Sequence, residues 1–160
     1  CRGMGEGPSS MPADRIITRE QLACMLLPLA DPALRWGGED GEACSEALRI
    51  AVGNGFLALE RRPWPDGHVS LLRPDGYVTR QEMATVAMQA CGVNYRNASC
   101  TMPVCADAAL VNNNYGTNVA RALYFGFMSL EPDGCFKPRR PVTIGEAAGI
   151  LNRVADFAGI

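Results

Sequence analysis

Three times along the chain a β-branched residue and a threonine open an apolar stretch that carries Gln or Glu three residues after the threonine: Ile17 to Gln21, Val78 to Glu82 and Val142 to Glu146. Each is a helix start, because a Thr N-cap and an N3 Gln or Glu can satisfy two orphan backbone donors reciprocally. The apolar residue before each cap predicts a staple onto Leu22, Met83 or Ala147. Thr18, Thr79 and Thr143 are spaced by 61 and 64 positions (79 − 18 and 143 − 79). That period suits a unit of two helices and a long loop used repeatedly.

Around the caps the unit can be written out. A helix is expected over about 43 to 53 and another over about 117 to 125, and the first reaches Gly55 while the second reaches Gly126. Gly55-Phe-Leu-Ala-Leu59 and Gly126-Phe-Met-Ser-Leu130 are then the same element twice, each followed by a Pro-Asp-Gly turn, at Pro65 to Gly67 and at Pro132 to Gly134. The Thr-capped helices follow with clear apolar faces, Met83, Val86 and Ala87 in one and Ala147, Ile150 and Leu151 in the other. Before Thr18 nothing reads as the partner helix. The division is therefore an arm over 1–12, a half module over 13–40, and modules over 41–93 and 94–160. That half leaves an apolar face to be covered by the arm, the last module or another chain.

Composition narrows the function classes. A chain of 160 residues with 48% apolar content can bury a full core. Net charge is −2 with both signs interspersed, which denies nucleic acid its electrostatic footprint. No apolar run approaches a membrane span. Seven cysteines beside a single His68, with no paired CxxC, favour disulfides in an oxidising compartment over structural zinc. Six of them, Cys24, Cys44, Cys91, Cys100, Cys105 and Cys135, allow 15 connectivities. Cys1, at the end of a Gly/Pro/Ser-rich arm, is left for an intermolecular bridge or lipidation. The chain starts without Met, so a processed product with its signal segment removed is expected.

Catalysis has little to build on. His68 lacks a partner suggesting a triad or a Cys-His pair, and Glu82 and Glu146 are accounted for by capping. No catalytic residue, cofactor or metal is expected. Arg19 and Arg80 are the residues that capping leaves unexplained, since a cation at the first helical position opposes the helix dipole. Trp36 and Trp64 read either as plugs at a module junction or as stacking platforms for sugars. Arg61, Arg62, Arg139 and Arg140 read as solvated turn charges.

The segment Glu131 to Val154, EPDGCFKPRRPVTIGEAAGILNRV, resembles the second half of an S-layer homology module, and Leu71 to Val93 resembles the same half one copy earlier. The likeness runs over about 18 to 157. It implies an all-α fold of tandem helix-loop-helix modules in a pseudo-threefold bundle, here expected to be stabilised by disulfides. It also implies an exported, non-catalytic cell-surface protein binding pyruvylated wall polysaccharide in grooves between modules. The family signature Thr-Arg-Ala-Glu carries its glycan-contacting Arg onto Arg19 and Arg80, while Ile144 takes that place in the third copy. The alternative is a self-assembling subunit of a filament or surface layer, a homo-oligomer without glycan binding. It is motivated by the half module, the odd cysteine count and the lack of a cargo domain.

Overall fold

The computed structural model describes residues 12–30, 41–92 and 98–160. Residues 1–11 of the arm, Cys1 among them, and Trp36 lie outside the described residues. Among the described residues there are five helices: α1 (Arg19–Ala30), α2 (Gly41–Gly53), α3 (Arg80–Ala90), α4 (Gly116–Tyr124) and α5 (Ile144–Ala158). A short 3-10 turn covers Ala108–Leu110. Two strands, β1 (Glu60–Trp64) and β2 (Gly67–Leu71), form an antiparallel hairpin with Trp64 opposite Gly67 and Glu60 opposite Leu71.

The fold is therefore not purely helical, which corrects the all-α expectation. The residues of β1 are Glu, Arg, Arg, Pro and Trp, so nothing apolar alternates along it and no strand signal arises. The turn makes the hairpin. Pro65 fixes φ at the first loop position, and Gly67 takes φ 139°, a conformation that side-chain-bearing residues avoid.

Helix α1 packs on α2 and α3 on α4, while α1, α3 and α5 pack on one another. Their junction is a ring of backbone bridges, Thr18 to Tyr77, Thr79 to Pro141 and Thr143 to Ile16. Each Thr-cap segment thus pairs with the residue two before the next cap, and the last copy returns to the first. Ile17, Val78 and Val142 are wholly buried at this junction. Ile17 N–H donates to the Val142 carbonyl and Val142 N–H to that of Val78, both at 2.9 Å.

The same ring satisfies the helix starts. The first two N–H groups of α1 donate to Gly76 and Pro74, those of α3 to Arg140 and Pro138, and those of α5 to Arg15 and Ala13, all at 2.8–3.1 Å. Six donors that helices ordinarily leave orphaned are thereby paired by neighbouring segments. Gly145 is needed for the third of these contacts, because a Cβ there would meet the Ala13 carbonyl oxygen at 3.0 Å and its Cβ at 3.1 Å. The glycine of the third copy is thus a packing adaptation.

The capping boxes differ among copies. Only at Thr18 is the exchange reciprocal, Gln21 N–H to Thr18 Oγ1 at 3.2 Å and Thr18 N–H to Gln21 Oε1 at 3.0 Å. Glu82 instead accepts from the Thr79 hydroxyl at 2.8 Å, and Glu146 accepts from Arg140. Neither carboxylate takes the N–H of its own cap residue.

Among the described residues no disulfide is found, which corrects the expected cross-linked fold. Cys24 and Cys91 are buried among apolar side chains, where cysteine packs as a small hydrophobe. The Cys105 thiol is pushed up by burial and by the charge of Asp107. That of Cys135 is pushed up by desolvation, then by Asp133 and Asp107. Both shifts disfavour the thiolate that disulfide formation requires.

Candidate functional site

The packing leaves two grooves at corresponding places. The first, of about 650 Å3, lies between α1 and the second module and is lined by Arg19, Phe56, Glu60, Arg73, Glu82 and Tyr115 among others. The second, of about 440 Å3, lies between α3 and the third module and is lined by Arg80, Glu131, Arg140, Glu146, Arg153 and the backbone around Ser129.

Arg19 and Arg80 occupy equivalent positions and are 5% and 6% exposed. Neither stands in solvent against its helix dipole. Arg19 Nε donates to the Leu72 carbonyl at 2.9 Å and Nη2 to that of Ala58. Arg80 Nε donates to the Phe136 carbonyl at 2.7 Å and Nη2 to that of Ser129 at 2.6 Å, with its guanidinium 4.8 Å from the Phe136 ring centre. A planar fork is suited to holding two carbonyls at once. Each arginine therefore ties the loop after the preceding helix to the segment before the next cap.

The third nitrogen of each fork is left on the groove side with only a loose ion pair, Arg19 Nη1 to Glu82 at 3.9 Å and Arg80 Nη1 to Glu131 at 3.8 Å. Burial holds both guanidinium groups below their ordinary range, and Glu82 and Glu131 act the other way. Arginine remains charged regardless. Each groove thus presents a fixed cation that is short of hydrogen-bond acceptors.

The two grooves differ in charge. In the first, Arg19 and Arg73 face Glu60 and Glu82, and Arg73 is bound to Glu60 at 3.0 Å. In the second, Arg80, Arg140 and Arg153 face only Glu131 and Glu146. Arg140 grips Glu146 through two nitrogens at 3.0 and 3.1 Å and Glu131 at 2.8 Å. The hydrogen bonds that it donates to Glu146 hold its guanidinium above the usual range. Arg140 is thus no solvated turn charge, correcting that expectation, whereas Arg61, Arg62 and Arg139 are exposed. Ile144 stands where the third arginine would be and is 8% exposed.

Asp107 supports the second groove from behind and carried no sequence signal. Its two carboxylate oxygens accept from the Phe136 and Lys137 N–H groups, both at 2.7 Å. Burial works to raise its pKa, but these hydrogen bonds more than offset that and leave it below the ordinary carboxylate value. A depressed folded value means that the stabilisation is full above the unfolded pKa of about 4 and is lost as pH falls through the folded one. Chemical denaturation between pH 7 and pH 2 should therefore show the stability gap between wild type and Asp107→Asn closing below about pH 4. A gap that stays constant over that range would sink the assignment.

Trp64 sits at the end of β1 and is 65% exposed. It does not plug a junction. His68 lies on β2, also exposed. Among the described residues no cluster of His, Cys, Asp and Glu is arranged to hold a metal ion, and no described helix is long and apolar enough to cross a membrane.

Comparison with known proteins places this architecture in a class. Residues 111–148, from Val111 through the second groove to Ala148, match the S-layer homology domain. That match covers about a quarter of the chain, and S-layer homology over this segment points to association with the cell surface. Over 154 residues the chain is also 24% identical to an amylopullulanase from Thermoanaerobacterium thermosulfurigenes. That match takes in 91% of this chain and spans 8% of the relative's length.

Proposed function

We propose that this chain attaches to the bacterial envelope by binding an acidic wall polysaccharide, pyruvylated in the family it resembles, in the grooves headed by Arg19 and Arg80. The observation that carries the reading is the paired arginine geometry. In both copies two nitrogens are committed to backbone carbonyls, and the third makes a long ion pair, at 3.9 Å for Arg19 and 3.8 Å for Arg80. A carboxylate entering the groove completes that coordination with a charge-assisted hydrogen bond. The excess of arginine in the second groove makes it the stronger anion site.

The arginines also hold the fold, so the cleanest test alters the ligand. Purified wall polysaccharide should bind the chain, and the same polymer with its carboxyl groups reduced should bind at least about tenfold more weakly. Equal binding of both polymers would exclude the mechanism. Glu131→Gln should tighten binding, since it removes the carboxylate that competes for Arg80 and Arg140.

A second reading, association of copies into a layer or filament, is favoured by the flank of α5. Among the described residues no helix packs on α5 as α2 packs on α1 and α4 on α3. Tyr124 and Ile160, near that end of the molecule, are 72% and 61% exposed. The proposed occupant is a second copy of the chain. Sedimentation showing a monomer at all concentrations would remove this reading and leave glycan attachment alone.

A further inference from the structure

The hairpin β1–β2 has no counterpart in the third module. Glu60 and Glu131 each stand five residues after the glycine that follows the preceding helix. Leu72 and Phe136 offer the equivalent carbonyls to Arg19 and Arg80. Between these landmarks the second module holds eleven residues (61–71) and the third only four (132–135). The added length forms a ribbon whose residues from Arg61 to His68 are all exposed. Such a ribbon adds nothing to the core, and an exposed tryptophan on it is a solubility liability that packing does not explain.

We infer that this hairpin is a second carbohydrate subsite, in which Trp64 stacks on a sugar ring of the polysaccharide whose acidic unit sits in the Arg19 groove. The inference rests on the glycan-binding reading above. A sugar ring offers an apolar face of C–H groups and a rim of hydroxyls, so it is recognised by an aromatic plane beside hydrogen-bonding groups. The hairpin tip supplies both. Trp64 borders a shallow cavity of about 340 Å3 that Asp66 also lines, whereas His68 and Ser70, paired with Pro63 and Arg61, present their side chains on the opposite face.

The hairpin also points the right way. Side chains alternate along a strand, so Glu60, Arg62 and Trp64 share one face, as the 3.2 Å contact from Arg62 Nε to Glu60 Oε1 attests. Glu60 itself lines the Arg19 groove. That face therefore leads from the groove to the tryptophan over about 13 Å, further than one sugar ring reaches and suited to an extended chain. Arg62 lies on that path, ion-paired to Glu60 at 3.2 Å, while Arg61 stands on the opposite face. The first groove, unlike the second, has no cation excess of its own, so added contacts on the hairpin matter most there.

Two details favour a sugar over a peptide. Pro63 and Pro65 fix φ on both sides of Trp64 and hold the ring ready, which lowers the entropy lost on binding. Trp64 and Gly67 flank a two-residue loop, so they form the hydrogen-bonded pair next to the turn, and the following pair, Pro63 with His68, turns its nitrogens outward. Proline at that place removes a donor from the outer edge of β1, which discourages strand addition.

The test uses the full chain and its Trp64→Ala variant, titrated calorimetrically with long wall polysaccharide and with a single-repeat acidic oligosaccharide from it. Trp64 is exposed, so the variant should fold normally, checked by circular dichroism. The expected result is about a tenfold loss of affinity for the polymer and no change for the oligosaccharide. In a Trp36→Phe background Trp64 is the sole tryptophan, and its emission should shift on adding the polymer. Wild-type affinity of Trp64→Ala for a polymer that wild type binds would overturn this inference and leave the groove reading intact. Failure of the wild type to bind either sugar would overturn both. Loss of binding to wall protein, with polysaccharide binding kept, would make the hairpin a protein-docking ribbon and also overturn it.

Discussion

Arg80→Ala is expected to lower the stability of the domain by about 3–5 kcal/mol, read as a fall in the urea midpoint at unchanged slope. The side chain is 6% exposed and joins two segments, taking the Ser129 carbonyl on one side and the Phe136 carbonyl on the other. Its removal leaves two buried acceptors without their donors, each worth about 1–3 kcal/mol, and a void beside Phe136. Arg80→Lys should recover little, because a single ammonium cannot reach both carbonyls in the plane that the fork provides. A loss below about 1 kcal/mol would mean that water replaces the guanidinium freely. The residue would then be a ligand-binding group with no structural duty. The consequence for binding experiments is direct: alanine variants of Arg19 and Arg80 confound attachment with folding unless stability is measured alongside.

Phe136→Ala should cost about 3–5 kcal/mol, the usual range for truncating a fully buried phenylalanine. This ring is 0% exposed and lies under the Arg80 guanidinium, so it also supplies the aromatic face for that cation. The two substitutions should not add. A double-mutant cycle is expected to show coupling of about 0.5–3 kcal/mol, with the double variant losing less than the two singles together. Strict additivity would show that ring and cation are neighbours without interacting. Such coupling explains why the second groove is held in shape: its floor, its cation and the Asp107 brace meet at Phe136.

Much of the helical plan could be read from the residues. Thr79 and Thr143 cap α3 and α5 as their spacing predicts, and Gly159 takes the left-handed conformation at the end of α5. Pro28 lies inside α1 two residues from its last, consistent with the expected bend or end. The hairpin escaped notice because the alternation that marks a strand requires one buried face, and β1 has none. Matching the two Pro-Asp-Gly turns also hid the insertion. Arg73 and Lys137, with φ 49° and 55°, are the true equivalents, each six residues before its threonine. That register aligns Pro74 with Pro138 and leaves the first Pro-Asp-Gly as the hairpin's own turn.

The candidate site was legible in part. Arg19 and Arg80 stand out in sequence because they conflict with the helix dipole, and that conflict did mark special residues. What sequence could not supply was their direction, since the carbonyls that hold them lie 39 to 56 residues away along the chain. Asp107 and Gln81 were missed for the same reason. Gln81 is 8% exposed and accepts from the Asn112 N–H at 3.0 Å, a contact across 31 residues with no local pattern to announce it.

The bridge from Thr143 back to Ile16 has a mechanical consequence. A row of stacked repeats frays from its ends, because each terminal repeat has one neighbour and melts first. Here the last repeat clasps the first, so the row has been bent into a loop with no terminal member. Tension arriving at one end of the chain is passed around that loop instead of stripping off a single repeat, a property suited to a part that must hold its grip while something pulls on it.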